Sequence, residues 1–184
     1  MAKKKVGIVV GSIRTGSYTR MIAKAMCGLH PDLDCEILEI KQLSMFNQDL
    51  EKTPPQDWLD FKAKIQACDA ILFATPEYNR SIPGVLKNAI DVGSRPYGQS
   101  AWSKKPCAVV SVSPGGIAGF GANHHLRQCI VFLEMPCLQM ETYIGNVAKL
   151  VDDRGELTNA DTRAFLQKTV DAFAAWIDAT ATKK

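Results

Sequence analysis

The chain of 184 residues has a formal charge of +3, with 46% hydrophobic and 22% charged residues, which suits one soluble domain with a full core. No Lys/Arg cluster interleaves with aromatics in the body of the chain, which argues against a nucleic-acid binder. No run of ~18 apolar residues could span a bilayer. The six cysteines form no CxxC pair and the three histidines lack metal-ligand spacing. Free thiols in a reducing compartment are therefore expected, without disulfides or a zinc site, and the N-terminus lacks the apolar region of a secretory leader. A cytoplasmic protein follows, and the Lys3-Lys4-Lys5 and Lys183-Lys184 ends read as solvated tails.

Along the chain, short β-branched runs predict strands at 6–10, 35–40, 70–75, 107–112 and, more weakly, 138–144. Helical spacing predicts helices at 17–29, 56–67, 83–93, 121–135 and 160–178. The last is the clearest, with Leu166, Val170, Phe173 and Ile177 on one stripe and Thr158 or Asn159 as its cap. Pro83 suits the first turn of the third helix. Residues 41–57 form the longest irregular stretch, and VDDRGEL at 151–157 reads as a turn or small hairpin. Alternating strands and helices imply a three-layer α/β sandwich, a single flavodoxin-like domain over 1–184 with a five-stranded parallel sheet in the order 2-1-3-4-5.

In such sheets ligands bind outside the carboxyl ends of the strands near the switch point. The order 2-1-3-4-5 makes strands 1, 3 and 4 neighbours, and the loops that follow them are the three most unusual in the chain. GSIRTGSYT at 11–19 has the outer spacing of a P-loop, but Ser17-Tyr18 stands where Lys-Ser/Thr would be, which argues against a nucleoside triphosphatase. Ser12, Thr15, Ser17 and Thr19 offer hydroxyls, Arg14 a charged fork and the helix start its N–H groups, an inventory suited to one terminal phosphate monoester. A capped turn, with Ser17 as the cap, explains the same residues without a ligand. TPEYNRSIP offers an aromatic face at Tyr78 and an amide at Asn79, or is a Pro-rich turn before a helix. SVSPGGIAGFG, with four glycines over 111–121, lets a ring edge approach the backbone, or is merely a flexible loop.

The segments GSIRTGSYTRMI, PEYNRSIPGVLKNAIDVGSRP and SPGG…HHLRQ resemble the NADPH-dependent FMN reductase family, and its bacterial chromate and quinone reductases in particular. The resemblance runs nearly the length of the chain. It implies bound FMN, NADH or NADPH as electron donor, and a homo-oligomer, a dimer or a dimer of dimers (homotetramer). It places Ser12, Arg14 and Ser17, with Tyr18 and Thr19, at the FMN phosphate; Pro76, Glu77, Tyr78 and Asn79 beside the isoalloxazine; and Ser113, Gly115 and Gly116 on its other side. Thr19 stands where many relatives carry Asn, and His124 where Tyr is frequent.

The reaction implied is hydride transfer from nicotinamide to flavin N5 and on to small-molecule acceptors: quinones, flavins or oxidised metal ions such as chromate. No catalytic acid–base pair is required of the protein. The alternative is a flavodoxin-type electron carrier, although such carriers are acidic and this chain is slightly basic. Glu77 and Asn79 are expected near the substrate. Arg95, a helix length from them, is expected either to reach a partner subunit's flavin or to stabilise its own helix C-terminus. Val85, Ala89 and Val92 are expected to serve the subunit contact.

Overall fold

The computed structural model describes residues 3–180. Five parallel strands, β1 (Lys4–Val10), β2 (Leu33–Ile37), β3 (Ala70–Thr75), β4 (Cys107–Val112) and β5 (Thr142–Ile144), lie in the order β2-β1-β3-β4-β5. The helices are α1 (Tyr18–Cys27), α2 (Gln56–Ala67), α3 (Gly84–Ser94), α4 (Phe120–Phe132) and α5 (Ala160–Thr180). The fold and strand order are those expected from the sequence.

The strands are continuous apolar runs because both faces are covered. β3 and β4 are buried at every position. Alternation divides their side chains between two cores. Ile8, Leu72 and Val110 face α1 and α5, where Ile22, Leu166, Val170 and Phe173 pack. Val9, Phe73 and Val109 face α2, α3 and α4, around Trp58, Leu86, Trp102 and Leu126. The predicted stripe of α5 is buried throughout, and Asn159 Oδ1 accepts from Thr162 N–H at 2.8 Å, as a cap should.

Lys4 and Lys5 are not tail residues. They open β1, pairing with Leu33 and Asp34, and the Lys4 ammonium meets Asp178 at 3.2 Å. Lys183-Lys184 lies outside the described residues. The irregular stretch 41–57 is tied down by the buried Asn88, whose Oδ1 accepts from Phe46 N–H at 2.8 Å and whose Nδ2 donates to Ser44 O at 3.1 Å. All six cysteines are thiols, two of them buried and four half-buried. Among the described residues no cluster of His, Cys, Asp and Glu could hold a metal, and no helix is long and apolar enough to cross a membrane.

Parallel register brings the ends of β1, β3 and β4 level. Val10 pairs with Ala74, Thr75 with Ser111, and Gly11 N–H donates to Ala74 O at 2.8 Å. The three unusual loops thus leave the sheet side by side.

Candidate functional site

The loop after β1 is short of acceptors for its own backbone. Apart from the turn closed across Thr15 and Gly16, no N–H from Ser12 to Thr19 meets an acceptor among the described residues. Such a run of unpaired donors at a helix N-terminus forms a concavity for an anion. Ser17 caps α1, its Oγ accepting from Arg20 N–H at 3.2 Å. The capped turn is therefore present, and it leaves the Ser17 hydroxyl its hydrogen to donate. Ser12 and Ser17 are 7% and 5% exposed, at the floor of the loop. Arg14 and Thr15 stand exposed, with the Arg14 guanidinium carbon 5.6 Å over the Tyr18 ring. Thr19, at 3% exposure, is buried as Ser12 and Ser17 are, and only Thr15 of the four is exposed. Gly16, at φ 70°, makes the turn, and a Cβ there would have nothing within 4 Å.

After β3 the chain folds into a two-residue knuckle. Tyr78 and Ser81 exchange both backbone hydrogen bonds at 3.0 Å across Asn79 and Arg80. Both turn residues have positive φ, 51° and 63°, the pattern of a type I′ turn that glycine favours and these side chains adopt at a cost of about 1 kcal/mol or more each. The knuckle holds Tyr78 outward at 54% exposure. From the other side, Ser81 Oγ lies 2.7 Å from His125 Nδ1.

Glu77, expected near the substrate, has a structural partner of its own. Its Oε2 accepts from Ala122 N–H at 3.0 Å, capping the N-terminus of α4 from 45 residues away. This bond joins the second loop to the third. Gly121 makes the approach possible, since a Cβ on it would lie 2.9 Å from both Arg80 O and Glu77 Oε2.

The loop after β4 is held from within. Ser113 Oγ accepts from Gly115 N–H at 3.1 Å, and Ser111 Oγ donates to Ala118 O at 2.8 Å. Buried Asn123 donates to Ser111 Oγ at 3.2 Å and to Thr142 O at 3.3 Å. Gly115 and Gly116 are exposed. Neither has positive φ. A Cβ at Gly116 would meet nothing within 4 Å, and one at Gly115 would meet Ser113 Oγ at an ordinary 3.5 Å. Nothing in the chain's own packing requires glycine at either place, and the space beside both is open.

Two features near this rim escaped the sequence analysis. The Ser111–Asn123 network is one; polar residues within otherwise apolar segments were its signal. The other is a cluster of Phe120, His124 and Tyr143, with Phe120 and His124 ring centroids 4.3 Å apart. The Tyr143 hydroxyl donates to Glu141 at 2.6 Å and lies 2.9 Å from His124 Nε2. Partial burial, then the hydrogen bond and charge of Glu141, push the phenol pKa up to about 12, so Tyr143 stays neutral at physiological pH.

The structure does not bring Arg95 to the three loops. It caps the far end of α3, about 15 Å from the knuckle by helix rise. Its Nε donates to Glu51, its guanidinium carbon sits 5.7 Å from the Phe46 ring, and its carbonyl accepts from Lys62. Reaching a partner's site would require it to leave Glu51.

Residues 4–149 match the family described as NADPH-dependent FMN reductase. A quinone reductase of Pseudomonas putida is 59% identical over 175 residues, covering 94% of this chain and 94% of that protein. A 2-hydroxy-1,4-benzoquinone reductase of a Burkholderia species is 40% identical over 94% of this chain and 96% of its own length. Among solved structures, the flavoenzyme NAD(P)H:(acceptor) oxidoreductase FerB of Paracoccus denitrificans superposes with a TM-score of 0.91 at 39% identity, over 97% of this chain and 100% of that one.

Proposed function

This chain belongs to the NADPH-dependent FMN reductase family, and on that premise we propose that it is an FMN-dependent NAD(P)H:quinone oxidoreductase. The residues present fit the cofactor. The observation that carries the reading is the pairing of an unfilled anion nest at 12–19 with a cradle at Gly115-Gly116 that the chain's own packing does not require. The nest, Ser12, Ser17 and Arg14 suit the terminal phosphate. Pro76 to Asn79 and Ser113 to Gly116 would hold the ring system between the second and third loops.

When bound, FMN supplies the redox chemistry, taking a hydride from the nicotinamide and passing two electrons to the acceptor. The chain's part is to bind and orient. Glu77 fixes the spacing of the two walls through α4, and the knuckle sets Tyr78 at the rim. No side chain is required to move a proton in the hydride step. Because the rim is open, with Tyr78 and Ile117 at 54% and 61% exposure, we extend the proposal to free flavins and oxidised metal ions such as chromate as secondary acceptors.

The purified protein loaded with FMN should bleach on anaerobic addition of NADH or NADPH and regain its colour when a benzoquinone is added. A protein that stays yellow would be an electron carrier of the flavodoxin kind, and the reductase reading would fall.

We further read the described residues as one FMN-binding domain that works in the cytoplasm as a homo-oligomer. Of the residues expected at the subunit contact, Val85 is half-buried against the same core that takes the other two. Ala89 and Val92 are 0% and 1% exposed and serve the chain's own core. Exposed apolar side chains lie just past the end of α3 and in the last turn of α4, at Tyr97, Val131 and Phe132, exposed by 88%, 71% and 83%. Tyr97 and Phe132 line one groove there. Exposed apolar side chains of this size around one groove suit an association surface. Light scattering at micromolar concentration should report a dimer or tetramer, and Phe132→Asp should shift it toward the 20.2 kDa chain. A wild-type monomer would refute this contact.

A further inference from the structure

A groove of about 400 Å³ opens on the outer side of the phosphate loop, with Gly16 and Ser17 at its mouth. Its walls are the exposed face of α1 and the turn at 151–157. The two walls are fixed to each other. Val151 bridges Leu157 across the turn, and Gly155 sits so close to Met21 that a Cβ would lie 3.0–3.2 Å from three of its side-chain atoms. The groove lies on the α1/α5 side of the sheet, whereas α3 and α4, which follow the knuckle and the glycine loop, pack on the other side.

The lining has three chemical parts. Arg154 is an exposed cation with no anionic partner among the described residues, and Lys24, also exposed, makes no ion pair but acts through space on the Glu39 carboxylate. Arg20 is different, being bidentate to Glu39 at 2.7 and 2.6 Å, a contact that holds the Glu39 carboxyl below its usual range. Glu156 places a carboxylate on the same wall as Arg154, and Met21 and Ala25 add an apolar strip along α1. Two exposed cations, one carboxylate and an apolar strip leading away from a phosphate loop form the recognition set for a nucleoside monophosphate. The cations suit its phosphate, the carboxylate accepts from ribose hydroxyls, and the apolar strip takes the base. FMN ends at its phosphate and would leave all three unused.

We infer that this groove is an adenylate subsite and that the chain binds FAD as well as FMN. The second phosphate lies on Lys24 and Arg154, the ribose on Glu156 and the adenine on Met21 and Ala25. The inference rests on the placement of the flavin phosphate at residues 12–19 proposed above.

Titrating apo-protein with FMN, FAD and riboflavin tests both, read by quenching of flavin fluorescence on the isolated protein. FAD should bind within about tenfold of FMN. The double variant Lys24→Ala/Arg154→Ala should weaken FAD about tenfold and FMN less than threefold, since these exposed charges act on the second phosphate. FMN binding with FAD more than tenfold weaker overturns the subsite and leaves the phosphate placement intact. Equal binding of riboflavin and FMN overturns the placement itself. A raised KM for NADH in the double variant, with its FAD titration unchanged, assigns the groove to the adenosine half of the pyridine nucleotide and likewise overturns the proposal.

Discussion

Ser17→Asp should abolish tight FMN binding while leaving the empty protein as stable as before or slightly more so. Ser17 caps α1 through Oγ, which accepts from Arg20 N–H at 3.2 Å, and aspartate is as good an N-cap as serine. Its charge also complements the helix N-terminus by about 0.3–1 kcal/mol. At about 2–4 °C per kcal/mol for a domain of this size, the apo melting temperature should be unchanged or rise by a few degrees. A phosphate in the same loop meets that carboxylate at close range. At ~4 Å and an effective dielectric of ~20, one charge pair is worth about 4 kcal/mol, less where the exposed loop admits water. An affinity loss of roughly thirty- to a thousandfold follows.

The same substitution should alter riboflavin affinity no more than about threefold, because riboflavin carries no phosphate. Arg14→Ala, which removes an exposed cation, should weaken FMN roughly ten- to a hundredfold by loss of a charge-assisted contact. Calorimetry on apo-protein with both flavins, beside a thermal melt, separates the effects. Unchanged FMN affinity in Ser17→Asp would reduce the loop to a capped turn and remove the phosphate from it.

The legible parts of this protein are those governed by local chemistry. A central parallel strand must be apolar on both faces, so AILFAT and CAVVSV announced β3 and β4. Their order along the chain fixed which loops would meet. The hydroxyls and glycines of those loops had the right types for a phosphate and a ring. What stayed hidden depends on contacts between distant positions. Glu77 looked like a site carboxylate, and its engagement with Ala122 N–H, 45 residues on, could not be read from TPEYNRSIP. Arg95 was expected at a partner's flavin or at its own helix end, and its pairing with Glu51, 44 residues earlier, was not legible. Ala89 and Val92 looked surplus because a helical stripe does not say how wide its own core is. Lys4 and Lys5 looked like a tail because charge outweighs strand propensity in a sequence reading, whereas pairing with Leu33 and Asp34 recruits them into β1. The positive φ of Asn79 and Arg80 had no glycine to signal it.

The spacing between the two walls of the flavin site should be the feature most sensitive to substitution, and two glycines test it separately. Gly121→Val adds bulk where even a Cβ would stand 2.9 Å from Arg80 O and from Glu77 Oε2 and 3.4 Å from Arg80 C. The Arg80 carbonyl cannot swing aside cheaply, because it belongs to a knuckle closed by the paired hydrogen bonds of Tyr78 and Ser81. The second loop and α4 must move apart, and the Glu77 cap on Ala122 breaks. Loss of the cap and overpacking together should cost about 2–4 kcal/mol, or roughly 5–15 °C in melting temperature. Displacing one wall by even part of an ångström should lower NADH-to-quinone turnover about a hundredfold, since hydride transfer depends on close alignment. Gly116→Ala is the counterpart. A methyl there meets nothing within 4 Å and no positive φ forbids it, so the apo-protein should melt as wild type does or slightly higher. If the cradle holds the flavin edge, that methyl should still weaken FMN and riboflavin alike, by about tenfold. Wild-type flavin affinity in Gly116→Ala would move the ring away from the third loop. Wild-type turnover in Gly121→Val would show that the Glu77–Ala122 contact does not set the distance between the walls.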